Sequence, residues 1–62
     1  MNWVQYEVWA EDDDGRQELI ETTASKKDAL SIAERTHKET NMIVSVHEED
    51  ADGNYELVKE YS

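Results

Sequence analysis

Short runs that alternate apolar and polar residues constrain this fold more than any other feature of the sequence. In "WVQYEVWA", residues 3–10, every second residue is Val, Tyr, Val or Ala, and the residues between them are Trp, Gln, Glu and Trp. A period of two with β-branched and aromatic content predicts a strand. Similar content predicts three further strands at Glu18–Thr23, Met42–Val46 and Tyr55–Tyr61.

Turn and capping signals connect these strands. "DDGR" predicts a tight turn in which Gly15 takes a positive φ, and "EEDADGN" predicts a loop before the last strand. Ser25 is a predicted helix N-cap, and Asp28 occupies the N3 position of a capping-box-like arrangement. The helix is expected from about Lys26 to Glu39, with Asn41 as a left-handed stop.

The element order is therefore ββαββ, which predicts a single α+β domain over residues 1–62 with one helix on one face of a four-stranded sheet. Each hairpin is antiparallel, and the helix returns the chain across the sheet. If strand 3 pairs antiparallel with strand 1, the sheet order is 2-1-3-4. The expected core consists of Val4, Tyr6, Val8, Leu30, Ala33, Val44 and Val46.

Composition and charge exclude several classes of function. The chain has no Cys, so it has no disulfide, thiolate nucleophile or Cys-ligated zinc, and a cytoplasmic location is expected. No apolar run approaches the ~18 residues of a membrane span. The net charge of −10 argues against direct binding to nucleic acid or to an anionic membrane, and it permits a basic partner.

The acidic runs resemble a cation site only superficially. A calcium loop that began at Glu48 would place Lys59 at the twelfth position, where a bidentate carboxylate is required. We therefore predict charged hairpin tips, no metal and no cofactor. The acidic residues that we single out as possible contact sites at these tips are Glu11, Asp12, Asp13, Asp14, Glu48, Glu49, Asp50 and Asp52.

No residue pattern indicates catalysis. Carboxylates on exposed turns lack the burial that raises a pKa for acid–base work. We interpret His37, at the edge of the helix stripe, and His47, at the end of strand 3, as surface or structurally satisfied residues. The sequence contains neither a GxGxxG motif nor a P-loop. We expect a protein that is not an enzyme.

One helix covers one face of the sheet, so the second face must be polar, self-associate or bind a partner. The candidate interaction residues for that face are Trp3, Trp9, Ile43 and Leu57. The opposite strand phase, with both indoles in the core, stays open at this point. The resulting hypothesis is a small interaction or accessory module that binds a protein partner or forms a weak homodimer. The alternative is an acidic mimic of nucleic acid that inhibits a basic DNA- or RNA-binding protein.

From Ser25 onward the chain resembles a family of small uncharacterised bacterial strand–strand–helix–strand–strand proteins. The resemblance lies in "DALSIAERTHKE", an alanine-stepped helix, and in "IVSVHEEDADGNYELVKEY", a hairpin with Asp-Gly at its tip. It implies the same ββαββ fold and no particular activity. Members of such families often carry basic residues in the last hairpin, where this chain is acidic.

Overall fold

The chain forms a four-stranded antiparallel sheet with one helix packed on one face, as the sequence predicts. A computed structural model describes residues 2–62. The elements are β1 (Val4–Glu11), β2 (Gln17–Thr23), α1 (Lys26–Thr40), β3 (Ile43–Asp50) and β4 (Tyr55–Tyr61). The strand order is β2-β1-β3-β4 with every neighbouring pair antiparallel, so the predicted fold class and sheet order are confirmed.

Strand β3 is longer than its sequence pattern indicates. The predicted strand ended at Val46, whereas β3 continues through the polar "HEED" segment to Asp50. Pairing with β1 explains the extension, because the register runs without interruption from Val4 opposite Asp50 to Glu11 opposite Ile43. The backbone ladder thus overrides the weak strand propensity of the acidic side chains.

The ends of α1 confirm Ser25 and Asn41 as its caps. The capping box is not completed, because the backbone N–H of Ser25 donates to the hydroxyl of Thr23 at 3.1 Å rather than to Asp28. The hydroxyl of Ser25 accepts a hydrogen bond from the backbone N–H of Asp28 at 3.2 Å. Asn41 adopts φ 60°, and its backbone N–H donates to the carbonyl of His37 at 2.8 Å. Nδ1 of His37 lies 2.7 Å from the carbonyl oxygen of Met42. His37 therefore has a structural contact at the helix end, as we expected.

The core lies between α1 and the two central strands and is built from small side chains. Its buried residues are Tyr6, Val8, Ala10, Ala29, Ala33, Val44 and Val46. The prediction for Val4 is wrong, because this side chain is 40% exposed. Val4 is the first residue of β1 and lies opposite Asp50, at the end of the sheet. Leu30 is only partly buried and packs against the core rather than within it.

Both edge strands contain a register shift. In β2 the shift lies opposite Val8 and Trp9, and in β4 it lies opposite Val46 and His47. A one-residue shift moves the following side chains to the other face of a sheet. In β4, Tyr61 and Lys59 lie opposite the buried Val44 and Val46, whereas Leu57 lies opposite His47 on the other face.

The difference between Val46 and Val4 gives a matched test of this core. Val46 is fully buried and Val4 is 40% exposed, although both are strand valines. Val46→Ala should lower the free energy of unfolding by about 2 kcal/mol, since it removes buried methyl groups and leaves a cavity. Val4→Ala should cost less than about 0.5 kcal/mol. Urea denaturation measures both, and equal losses would contradict the described packing.

Candidate functional site

The sheet face turned away from α1 is the candidate functional site, because no helix among residues 2–62 packs on it. We call it the open face. The cross-strand register and the alternation with buried residues assign its members. They are Gln5, Glu7, Trp9 and Glu11 on β1, Gln17, Leu19 and Thr22 on β2, Ile43, Ser45, His47 and Glu49 on β3, and Tyr55, Leu57 and Glu60 on β4.

The predicted interaction residues are in part brought together here. Trp9, Ile43 and Leu57 all lie on the open face, where Ile43 is 40% and Leu57 is 57% exposed. Trp3 precedes β1 and is 44% exposed, and its carbonyl accepts a hydrogen bond from the backbone N–H of Ala51. Neither indole belongs to the core, which resolves the alternative that the sequence left open.

A hydrogen-bond network centred on Glu7 organises the middle of the open face. Oε1 of Glu7 accepts from the indole Nε1–H of Trp9 at 3.0 Å and from the phenol of Tyr55 at 2.9 Å. The same carboxylate therefore bridges β1 and β4 across the intervening β3. Charge-assisted hydrogen bonds of this kind are stronger than neutral ones. Glu7 thus fixes the positions of both aromatic side chains.

His47 adds a second aromatic layer to this network. Its ring stacks on Tyr55 with centroids 4.9 Å apart and an interplanar angle of 11°. Nδ1 of His47 is buried and has no hydrogen-bond partner among residues 2–62. A shallow depression of about 220 Å³ opens here, and its lining residues are Trp9, Gln17, Ser45, His47 and Tyr55.

The environment of Tyr55 favours its neutral phenol. Tyr55 is 49% exposed, and partial desolvation of its phenol raises its pKa, which the hydrogen bond to Glu7 and the charge of that carboxylate raise further. The nearby indole N–H of Trp9, which donates to Glu7, acts in the opposite direction and lowers this pKa. The phenol therefore stays protonated at neutral pH and acts as a donor to Glu7.

Charge is segregated between the two sides of the sheet. The open face carries the carboxylates of Glu7, Glu11, Glu49 and Glu60, and none of its assigned positions is a lysine or arginine. Four cations lie on the helix: Lys26, Lys27, Arg35 and Lys38. Lys59 lies opposite the buried Val46, with Nζ 5.1 Å from the ring centroid of Tyr61. The open face is therefore the more purely acidic surface.

The acidic hairpin tips are built by a repeated turn. In the first tip, Oδ1 of Asp12 accepts from the backbone N–H groups of Asp14 and Arg16, each at 2.9 Å. In the second, Oδ1 of Asp50 accepts from the backbone N–H groups of Asp52 and Asn54 at 2.9 and 3.0 Å. Gly15 and Gly53 take φ values of 83° and 86° at equivalent positions.

These tips do not form one acidic patch. Because Val4 lies opposite Asp50 and Glu11 opposite Ile43, the two tips lie at opposite ends of the sheet. Of the other predicted contact residues, some accept hydrogen bonds from side chains and the rest are exposed at the tips. Glu11 accepts from Gln17, Glu48 from Tyr6, and Glu49 from Gln5. Asp13, Asp14 and Asp52 are exposed at the tips.

The tip carboxylates have local partners rather than a metal-site arrangement. The side-chain amide of Asn54, followed by backbone N–H groups in the turn, lowers the pKa of Asp50. Residues 2–62 contain no group of three or more His, Cys, Asp or Glu placed to hold a metal ion. The oxygens of Asp12 and Asp50 thus stabilise their own loops.

Sequence reasoning missed Glu7, His47 and Tyr55 as members of the site. His47 fell at the end of a strand that was predicted too short, and Tyr55 was not placed on either face. Glu7 and Tyr55 are separated by 48 residues, so the β3–β4 register is needed to bring them together. An available signal was the alternation that gives Glu7 and Trp9 the same strand face.

No protein-family model, curated protein or solved structure matches this chain. The resemblance of its C-terminal part to bacterial ββαββ proteins therefore stays a prediction. Among residues 2–62, no helix has both the length and the apolar character that crossing a membrane requires.

The Glu7 network gives a prediction for the ionisation of Tyr55. Glu7→Gln should lower the Tyr55 pKa toward the ordinary value of about 10, since it removes a charged acceptor, while burial keeps part of the shift. Because folding raises the pKa of Tyr55, the neutral phenol stabilises the folded protein below pH ~10. This contribution to the free energy of unfolding is lost as the pH rises through the Tyr55 pKa of the folded protein.

The ¹³Cζ chemical shift of Tyr55, followed against pH, measures this effect. Glu56→Gln is the control, because Glu56 lies opposite Glu48, away from the Tyr55 network. An unchanged Tyr55 titration in Glu7→Gln would show that the hydrogen bond does not form in solution.

Proposed function

We propose that this chain is a non-catalytic protein-interaction module whose open face binds a basic surface of a partner protein. The observation that supports this proposal is the combination of exposed Ile43 and Leu57 with carboxylates and no cation on one uncovered sheet face. Exposed apolar side chains beside polar and charged ones are typical of protein interfaces. The carboxylates favour a partner of opposite charge.

The electrostatic part of this interaction has a defined consequence. Attraction between the acidic face and a basic partner accelerates association at low ionic strength, and salt screens it over about 8 Å at 0.15 M. Burial of the aromatic and aliphatic side chains contributes about 25 cal/mol per Å² and persists in salt. Binding should therefore weaken with ionic strength without disappearing.

A second copy of the chain is an alternative occupant of the same face. Contact between two such faces would bring Glu7 and Glu49 of one copy close to the carboxylates of the other. These charges would repel, because no assigned position of the face is a lysine or arginine. Screening by salt would reduce this repulsion, so self-association through the open face would strengthen with ionic strength. The two occupants thus have opposite salt dependence.

A second candidate function is an acidic inhibitor of a DNA- or RNA-binding protein. The placement of four of the six lysines and arginines on α1 favours it, since the assigned strand positions of the open face then present carboxylates to a basic groove. The cations of α1 restrict such mimicry to the open side of the sheet. This function requires the partner's nucleic acid and the open face to compete for one surface.

The proposal is tested by comparing open-face and helix-side variants in partner binding. The wild-type chain captures candidate partners from host extract, and each purified candidate is then measured by calorimetry. Ile43→Ser and Leu57→Ser should each weaken binding about tenfold, which corresponds to about 1.4 kcal/mol. Val4→Ser is the matched control, since Val4 and Ile43 are both 40% exposed at the first position of a strand.

Equal effects of Val4→Ser and Ile43→Ser would contradict a role for the open face. Sedimentation equilibrium of the isolated chain at low and high salt distinguishes a basic partner from a second copy. If the face binds a basic partner, the chain should be a monomer at every salt concentration. Self-association that grows with salt and is reduced by Trp9→Ala would assign the face to a homodimer. Displacement of the partner's bound DNA or RNA by the wild-type chain identifies the inhibitor function.

A further inference from the structure

The depression on the open face is too small for most free ligands. Its volume of about 220 Å³ lies below the roughly 300–1,000 Å³ of typical small-molecule sites. It lies around Ser45, whose small side chain is opposite Trp9 in β1 and Glu60 in β4. Such a depression fits the head group of one side chain from a larger partner.

The lining of this depression offers acceptors and an aromatic surface to a ligand that donates hydrogen bonds. Trp9 and Tyr55 already direct their donors to Glu7, so their aromatic rings remain as the available recognition surface. Ser45 and Gln17 each have an oxygen that can accept a hydrogen bond. The lining contains no lysine or arginine, and the carboxylate of Glu7 lies within hydrogen-bond distance of two lining residues.

A guanidinium group matches each of these features. It carries five N–H donors and no acceptor, keeps its positive charge at neutral pH, and is planar enough to stack on an aromatic ring. An ammonium group supplies the charge but not the plane, and a neutral side chain supplies no attraction to Glu7. The chemistry of the lining therefore distinguishes arginine from lysine and from uncharged residues.

We propose that this depression, the guanidinium cup, receives an arginine side chain of the partner protein. The inference rests on the proposed function, because it assigns one anchor residue to the basic surface that the open face binds. Arginine is enriched among the residues that dominate interface energetics, especially where a cavity excludes water. The ring of His47, which stacks on Tyr55, forms part of the wall of the cup.

The test uses three short peptides, acetyl-Gly-X-Gly-amide, in which X is arginine, lysine or citrulline. Citrulline is the neutral analogue of arginine. The indole N–H of Trp9 reports binding in ¹⁵N-labelled protein, and the indole N–H of Trp3 is the internal reference because it lies outside the network of Glu7. The arginine peptide should produce a saturable shift at Trp9, with about tenfold weaker binding for citrulline and an intermediate value for lysine.

Two variants connect this binding to the cup. Glu7→Gln should weaken the arginine peptide about tenfold, whereas Glu56→Gln, which removes the same charge opposite Glu48, should change it less than twofold. Because Glu7 also positions Trp9 and Tyr55, Ser45→Val provides a second variant that fills the cup without changing charge. Its loss of arginine binding, with an unchanged backbone spectrum outside the open face, would support the assignment.

Equal binding of the citrulline and arginine peptides would overturn the proposal, as would shifts that do not saturate and are equal at Trp3 and Trp9. The variants distinguish an incorrect assignment of the cup from an incorrect assignment of the open face. If Ile43→Ser and Leu57→Ser weaken the partner while Ser45→Val does not, the open face binds without an arginine anchor. If none of these variants affects the partner, the proposed function itself fails.

Discussion

One helix cannot cover both faces of a four-stranded sheet, and the rest of this structure depends on that limit. The 15 residues of α1 give a cylinder about 22 Å long and roughly 10 Å wide, which is enough for the central strands on one side only. The fully buried side chains are consequently valines and alanines of β1, β3 and α1. The other face remains in contact with solvent, and its composition has to be compatible with water.

The open face meets this condition by placing carboxylates among its apolar side chains. Glu7 accepts hydrogen bonds from Trp9 and Tyr55, so the polar atoms of both aromatic residues are satisfied without being withdrawn from the surface. The bulges in β2 and β4 interrupt the regular edges, which is a common protection against edge-to-edge aggregation. The same carboxylates are the basis of our proposal that the open face binds a partner that supplies positive charge.

The sequence predicts most of the fold because its decisive signals are local. Ser25 and Asn41 mark the helix ends, and alternation identifies the strands. The extent of β3 could not be read in this way, since the "HEED" segment becomes a strand only through its pairing with β1. Val4 follows the core alternation but lies at the end of the sheet, where it is exposed.

The site was harder to predict than the fold, because it depends on the bulge in β4. Uninterrupted alternation would place Leu57 on the same face as Lys59 and Tyr61. The register shift at Val46 and His47 instead brings Leu57 opposite His47, and Tyr55 opposite Glu49 on the open face. No turn or propensity signal in the sequence fixes that shift, so the contact between Glu7 and Tyr55 could be found only from the three-dimensional register.

Solvent paramagnetic relaxation enhancement with a neutral soluble probe tests the central claim, an uncovered and accessible open face, most directly. Methyl groups of Ile43 and Leu57 should relax strongly in the presence of the probe, whereas those of Val8, Val44 and Val46 should be protected, because the former are exposed and the latter fully buried. Protection of the Ile43 and Leu57 methyls equal to that of Val46 would show that the face is covered in the isolated protein and would contradict the account.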